Sequence, residues 1–212
     1  MSPTSYWLTT TTAGLLAGLA GLAFWRQHRA LARARYAARH DDTTGLPNRR
    51  AFTAALTRAL RTGNPVGVVL LDLDRFKRIN DTWGHQIGND VLAAVGQRLT
   101  CLERPVLMAA RLSGDEFALL AGGRPHEIAG IAVSAWRAIA HRPVVLDGQR
   151  IVVQASIGYA TSRLGSTARG LLHAADMAMY HAKRNGSAIH TAPASTAETD
   201  LPAGRVRDLP RN

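Results

Sequence analysis

"RLSGDEFALL", residues 111–120, sets two adjacent acids, Asp115 and Glu116, directly behind Ser113-Gly114 in an otherwise apolar stretch. "PVLMAARL" leads into it and "FALLA" leads away. Two short apolar runs joined at a Ser-Gly turn read as a β-hairpin with carboxylates at its tip. Such a pair has two readings. Hairpins routinely carry solvated turn acids. Alternatively, the acids sit there to hold a cation.

Working outward, "GNPVGVVLLDLDRF" (63–76) holds a short apolar run, Val66 to Leu71, bounded by turn residues, as a buried strand would be. It ends on two more acids, Asp72 and Asp74. "DDTTGLPNRRAF" (41–52) supplies turn chemistry at Gly45, Pro47 and Asn48 ahead of a helix over 49–61. Further helices are expected over 89–101, 125–141 and 167–184. Strands are expected near 143–147 and 150–160, around the turn Asp147-Gly148. Strands and helices mix without regular alternation, which predicts an α+β domain with a mostly antiparallel central sheet flanked by helices. Residues 191–212, rich in Ala, Thr and Pro without periodicity, read as a disordered tail.

The chain has 212 residues and a formal charge of +11, unevenly spread. Residues 26–62 carry nine arginines against Asp41 and Asp42, a net +7, whereas 63–190 are only +4. The excess therefore belongs to one N-proximal segment and not to a nucleic-acid-binding face of the domain. Cys101 is the single cysteine, so no internal disulfide forms and a reducing compartment fits.

Residues 1–25 contain no charged side chain. Tyr6 to Trp25, "YWLTTTTAGLLAGLAGLAFW", is 20 residues long, enough to span a bilayer core as a helix, and closes at both ends on aromatic pairs. Arginines 26, 29, 33, 35 and 39 follow it, the reverse of a secretory signal, and place the bulk of the chain in the cytoplasm. We thus expect a single-pass transmembrane helix over 1–25 in the cell membrane. The four threonines and several glycines leave a buried or interfacial helix as the competing reading. Residues 26–40 follow as a basic juxtamembrane helix or linker that either meets anionic inner-membrane lipids or is simply solvated.

Asp72 and Asp74 at a strand end, with the Asp115-Glu116 pair, are candidates for one pocket. Crowded carboxylates repel and are costly to desolvate unless a cation neutralises them. Hard divalent ions with oxygen ligands, above all magnesium held by one or two carboxylates plus substrate phosphates, are the usual solution. Two such ions can activate an attacking hydroxyl and stabilise a leaving oxygen in phosphoryl transfer. Lysine usage points the same way. Of 26 basic residues only Lys77 and Lys183 are lysines. A compact ammonium suits phosphate oxygens, although either lysine taken alone could be chance usage.

"DLDRFKRINDTWGHQIGNDVL" (72–92), "RLSGDEF" (111–117), "DDTTGLPNRRAF" (41–52), "VQASIGYA" (153–160) and "ADMAMYHAKRNG" (175–186) together resemble the GGDEF family of diguanylate cyclases, over roughly 41–190. The resemblance implies a fold like the palm of nucleotide polymerases and class III cyclases. It implies condensation of two GTP into cyclic dimeric GMP and two pyrophosphates by an antiparallel homodimer, each half holding one GTP. It implies two Mg2+ or Mn2+ ions per active site, on Asp72, Asp115, Glu116 and the backbone of Leu73, with Asp74 beside the nucleotide. Asp115, Glu116 and Lys77 take the catalytic positions. Phe76, Lys77, Asn80, Asn89, Ser113, Gly114, Lys183 and Arg184 fall at GTP-binding positions, Asn80 and Asn89 at guanine and Lys183 at the phosphates.

Four departures from the family pattern bear on activity. Ser113 replaces the first signature glycine, at a cost of up to about 1 kcal/mol if the position needs positive φ. Asn89 stands where an Asp is usual, trading an acceptor-only group for one with a competing donor. Ser187 replaces a basic residue. Arg104 keeps half of a product-inhibition motif whose acidic partner is here Leu107, so product inhibition through that site is expected to be weak or absent. The competing functional readings are a degenerate module that binds GTP or cyclic dimeric GMP as a scaffold, and a cyclase of altered base selectivity. The input signal is not legible, and control through membrane dimerisation or an unidentified sensor partner is the expectation. Trp83, Trp136 and Tyr180 are expected to fill core, His85 to be a hydrogen-bonded structural histidine, and Gly158 to meet a backbone constraint.

Overall fold

The computed structural model describes residues 21–31 and 33–192, which fall into two units divided between Arg39 and His40. In the first unit residues 21–31 and 33–37 are helical (α1). Most of the apolar stretch expected to span a membrane, and the tail beyond Ala192, lie outside the described residues. Among the described residues no helix is long and apolar enough to cross a membrane.

The second unit runs α2 (Arg49–Arg61), β1 (Val66–Leu73), α3 (Phe76–Thr100), β2 (Val106–Ser113), β3 (Glu116–Gly122), α4 (Pro125–Ala140), β4 (Val144–Leu146), β5 (Gln149–Ile151), β6 (Ala155–Thr161), α5 (Ala168–Asn185) and β7 (Ile189–Thr191). Five strands form one sheet in the order β2-β3-β1-β6-β7. Every pairing is antiparallel except that of β7, which runs parallel to β6. The sheet is therefore mixed, with helices on both faces.

Strand β1 is central, and all eight of its residues are buried, as a strand covered on both faces must be. The two-residue period then sorts its side chains. Val69, Leu71 and Leu73 join one core with Val91 and Val95 of α3 and Ile128 and Ile139 of α4. Val66, Val68 and Leu70 join the other with Phe52 and Leu56 of α2 and Leu171 and Met179 of α5. Helix α5 reaches that second face because Gly158 has no side chain. A Cβ there would collide with the backbone of α5 at Met179 N and Ala175 O.

Several boundaries differ from the sequence reading. The first strand runs on through Asp72 and Leu73 instead of stopping at Leu71. The helix expected over 89–101 is the second limb of α3, which begins at Phe76 and is broken at Gly84 (φ 84°, ψ 161°). The run expected as one strand over 150–160 divides at 152–154. Its first part closes the small β4–β5 hairpin on the Asp147-Gly148 turn, and its second enters the main sheet. Strand β7 falls partly inside the expected tail. Trp83 is 42% exposed and does not fill core, whereas Trp136 packs against the core as expected; His85, expected as a structural histidine, is exposed.

The segment before α2 is tied to β2 through Arg111. Thr44 donates to Asp41 Oδ1 from its backbone N (2.9 Å) and its hydroxyl (2.8 Å). Asn48 caps α2 by accepting from Ala51 N at 3.1 Å, a good N-cap. Arg111 Nη1 donates to Asp41 Oδ1 at 2.8 Å, and its Nε donates to Gly114 O at 2.9 Å. One guanidinium thus pins the pre-α2 turn to the hairpin tip. Burial alone would raise the Asp41 carboxyl, but the hydrogen bonds from Arg111 and Thr44 outweigh it and hold the group below its ordinary value.

Two predictions follow from this packing. Gly158→Ala is expected to destabilise the protein by about 3 kcal/mol or more, since helix backbone cannot give way as a side-chain tip can. Gly130→Ala, in open space on α4, is expected to stabilise by up to about 1 kcal/mol. Urea midpoints at unchanged slope read both. For Asp41, the folded value lies below that of the unfolded chain, about 3.9. Its contribution is therefore present above that pH and lost as the pH falls through the depressed folded value. Relative to Asp41→Asn, the wild type is expected to be about 1–2 kcal/mol more stable at neutral pH, and the gap to close toward pH 3 in a pH series of urea titrations.

Candidate active site

Asp72, Glu116 and Ser156 are the buried polar side chains among the described residues, at 2%, 7% and 5% exposure. They share one rung of the sheet. Asp72 on β1 lies opposite Glu116 on β3 and opposite Ser156 on β6. Side chains on directly opposed residues stand about 5 Å apart at Cβ, and the parity of β1 turns all three toward α2 and α5. The acids that the sequence separates by 44 positions are therefore direct neighbours.

The hairpin tip closes over this rung. Ser113 pairs with Glu116, so the two-residue turn is Gly114-Asp115, one position later than the expected Ser113-Gly114 centre, and Glu116 is a strand residue. Gly114 takes φ 48°, a conformation only glycine adopts cheaply at the first turn position. Ser113 lies outside the left-handed region, so replacing glycine there costs no backbone strain. Its hydroxyl instead donates to Glu116 Oε2 at 2.5 Å. Asp115 is half-buried, and its carbonyl accepts from Leu73 N at 3.2 Å, which brings the backbones of the two predicted metal-holding segments into contact.

Two cations enter from the helices of that face. Lys183, in the last turn of α5, sets its Nζ 2.5 Å from Asp72 Oδ1. Arg49, the first residue of α2, sets Nη2 3.3 Å from Glu116 Oε2. Lys183 stands at a predicted site position, but Arg49 was not singled out, nor were Ser156 and Arg111. A signal for Arg49 was available. Arginine in a helix's first turn opposes the macrodipole, and the first turn of α2 holds no acid, so a tertiary partner is needed to explain it. Ser156 is the buried polar residue of β6.

Asp74 does not join the acids. It accepts from Ser156 Oγ at 2.7 Å, and its backbone N donates to Gln154 O. The chain turns from β1 into α3 within Asp74 and Arg75, the latter at φ 56°. Phe76 is buried and Lys77, one residue on, is exposed. Further along α3, the break at Gly84 brings Asn80 against Gly88, the residue before Asn89. In a straight helix residues eight apart are about 12 Å distant. Here Asn80 Oδ1 occupies the space a Cβ on Gly88 would need, so the second limb folds back toward the first. Asn89 next to it is exposed.

Arg184 leans on the Tyr180 ring, 5.7 Å from its centroid. Arg104 and Leu107 are both exposed, on the loop before β2 and at its start. Among the described residues no three His, Cys, Asp or Glu side chains converge as a ready cluster of metal ligands. The donor set nevertheless suits a hard divalent ion: two buried carboxylates face each other, a third acid stands at the tip, and no sulfur or imidazole is present.

The comparisons accord with this geometry. Residues 38–188 match the family described as "Diguanylate cyclase, GGDEF domain". The chain is 40% identical over 158 residues to diguanylate cyclase TpbB of Pseudomonas aeruginosa, covering 69% of this chain and 35% of that protein. It is 36% identical to cyclic di-GMP phosphodiesterase NbdA of the same organism, covering 72% of this chain and 20% of that one. It thus spans well under half the length of these curated relatives. The crystal structure of the coiled coil and GGDEF domain of DgcB from Caulobacter crescentus, in complex with c-di-GMP, superposes with a TM-score of 0.75 at 28% identity, covering 86% of this chain and all of that one. With a matching sequence over most of its length, a mixed sheet flanked by helices and an acidic hairpin tip closing on the end of the central strand, this chain belongs to the GGDEF domain family of diguanylate cyclases.

Proposed function

We propose that the protein is a diguanylate cyclase that works as an antiparallel homodimer, each copy holding one GTP. The observation that carries this reading is the buried rung, in which Asp72 and Glu116 stand in register beneath the Asp115 turn. Buried carboxylates so close are costly unless they serve a cation. In each half-reaction the 3′-oxygen of one GTP bonds to the α-phosphorus of the other, the bond to the leaving pyrophosphate breaks, and the hydroxyl proton is lost. Two such steps close the ring. Asp72, Asp115, Glu116 and the backbone at Leu73 would hold two Mg2+ or Mn2+ ions, which when bound supply charge neutralisation at the phosphates and a more acidic 3′-hydroxyl.

The chain's own residues do the positioning. Lys77, at the exposed start of α3, and Lys183 with Arg184, at the end of α5, receive phosphate oxygens. Asn80, which the Gly84 break sets against Gly88, and the following Asn89 take the edge of guanine, with Asn89 accepting through its carbonyl. Phe76 backs them from the core, and Ser113 fixes the Glu116 carboxylate. Facing two such half-sites supplies the entropic part of the acceleration.

Ser187 offers no replacement for the basic residue of the family, because its hydroxyl is shielded from solvent. This, with Asn89, favours a second reading, a GGDEF module that binds nucleotide without turning it over. Membrane attachment through the uncharged stretch 1–25 and control by a partner protein belong to the same proposal. They are supported by the aromatic ends of that stretch and the arginines after it.

Full-length protein incubated with Mg2+ and labelled GTP, with and without ATP, decides among these readings when products are identified by mass. Cyclic dimeric GMP is expected, with Asp115→Ala lowering its rate at least about 100-fold. Nucleotide binding without product would establish the module, and an adenine-containing product would establish altered base selectivity. A second expectation concerns product feedback. Added cyclic dimeric GMP is expected to inhibit the wild type no more than Arg104→Ala, since Arg104 lacks its acidic partner. Inhibition abolished by Arg104→Ala would contradict this.

A further inference from the structure

Asp72 and Lys183 differ sharply in exposure: the aspartate side chain is 3% exposed and the lysine side chain 40%. The carboxylate is fixed in the middle strand of the sheet, while its partner reaches in from the surface on a flexible four-carbon stem. Glu116 is held differently, by the Ser113 hydroxyl and by Arg49. Arg184, beside Lys183, rests on Tyr180. At the end of α5 the half-exposed cation on a buried acid is thus a lysine, a compact point charge that can leave its site without breaking a forked set of hydrogen bonds.

We propose that Lys183 is an exchangeable counterion. It neutralises Asp72 until a divalent cation binds, the cation displaces the ammonium, and the freed Nζ is then available to phosphate. The inference rests on the reading of Asp72 as a metal-holding acid. Its physical basis is simple. A buried carboxylate keeps a cationic partner in every state, and an ammonium and a divalent ion cannot share one carboxylate oxygen without strong mutual repulsion. The two partners therefore alternate. Because the displaced group is itself a phosphate ligand, binding of the ion prepares binding of the nucleotide, and the coupling is reciprocal. An empty site with Lys183 withdrawn onto Asp72 offers a triphosphate less positive charge than a metal-loaded one.

The chain carries two lysines, Lys77 and Lys183, which makes the test clean. Full-length protein without nucleotide is treated briefly with an amine-acetylating reagent, with and without Mn2+, and both lysines are quantified by peptide mass. Bound Mn2+ is measured separately by paramagnetic resonance of the free ion. Saturating Mn2+ is expected to raise acetylation of Lys183 several-fold and leave exposed Lys77 unchanged. In Asp72→Asn, Lys183 is expected to react rapidly whether or not Mn2+ is present. Lys183→Met is expected to bind Mn2+ about tenfold more tightly than wild type, since no internal cation competes. Bound Mn2+ with Lys183 still shielded, in a protein that makes cyclic dimeric GMP, overturns the exchange and leaves the cyclase reading standing. Absence of bound Mn2+ in the nucleotide-free protein also overturns the exchange, whereas the cyclase reading falls separately, if no cyclic dimeric GMP forms from GTP. The acetylation arm uses the wild-type protein and does not depend on how well Lys183→Met folds.

Discussion

Two carboxylates buried in one rung of a sheet impose the constraint on which the rest of this domain depends. Asp72 and Glu116 face each other across β1 and β3, in a strand environment that is otherwise wholly apolar. Charge in that position must be matched, and the fold supplies the match from two directions, Lys183 at the end of α5 and Arg49 at the start of α2. The approach of α5 depends in turn on Gly158, whose missing side chain lets the helix backbone lie against β6. Helix placement, strand register and site electrostatics are therefore one problem with one solution.

The hairpin tip is held from outside by the same economy of parts. Arg111 bonds both Asp41 and the Gly114 carbonyl, so the turn that carries Asp115 is braced against the segment leading into α2. That segment also presents Arg49. A movement of the pre-α2 turn would be felt at both the Asp115 turn and the Glu116 counterion, since the two share these anchors.

Much of this was legible in the residues. The hairpin, the helix over 49–61, the turn at Asp147-Gly148 and the mostly antiparallel sheet follow from turn chemistry and hydrophobic period. The acids were singled out from their type and spacing, whereas Lys183 stood out only as one of two lysines and was placed at the site by the family resemblance. The first limb of α3 was not legible, because "RINDTWGHQ" is polar and carries no helical stripe of apolar residues. It is exposed over most of its length, so burial left no imprint there. Trp83 was misread for the same reason: its size suggests core, but it lies on that exposed limb. Strand β7 escaped because three residues give no period to read. Arg49 and Ser156 were missed because their significance lies in partners more than 60 positions away.

The sequence by itself determined which side chains are available, namely four acids at a strand end and a hairpin tip, two lysines and a glycine-bearing turn, and hence that oxygen-ligated cation and phosphate chemistry is within reach. Only the tertiary structure decided which acids meet. Antiparallel register puts Asp72 beside Glu116 and Ser156 and leaves Asp74 to a serine, and the packing of α2 and α5 chooses the cations that answer them. The reason is physical: local sequence sets turn geometry and side-chain period, whereas strand pairing and helix docking, which bring distant residues within a few ångströms, are settled by burial of the whole chain.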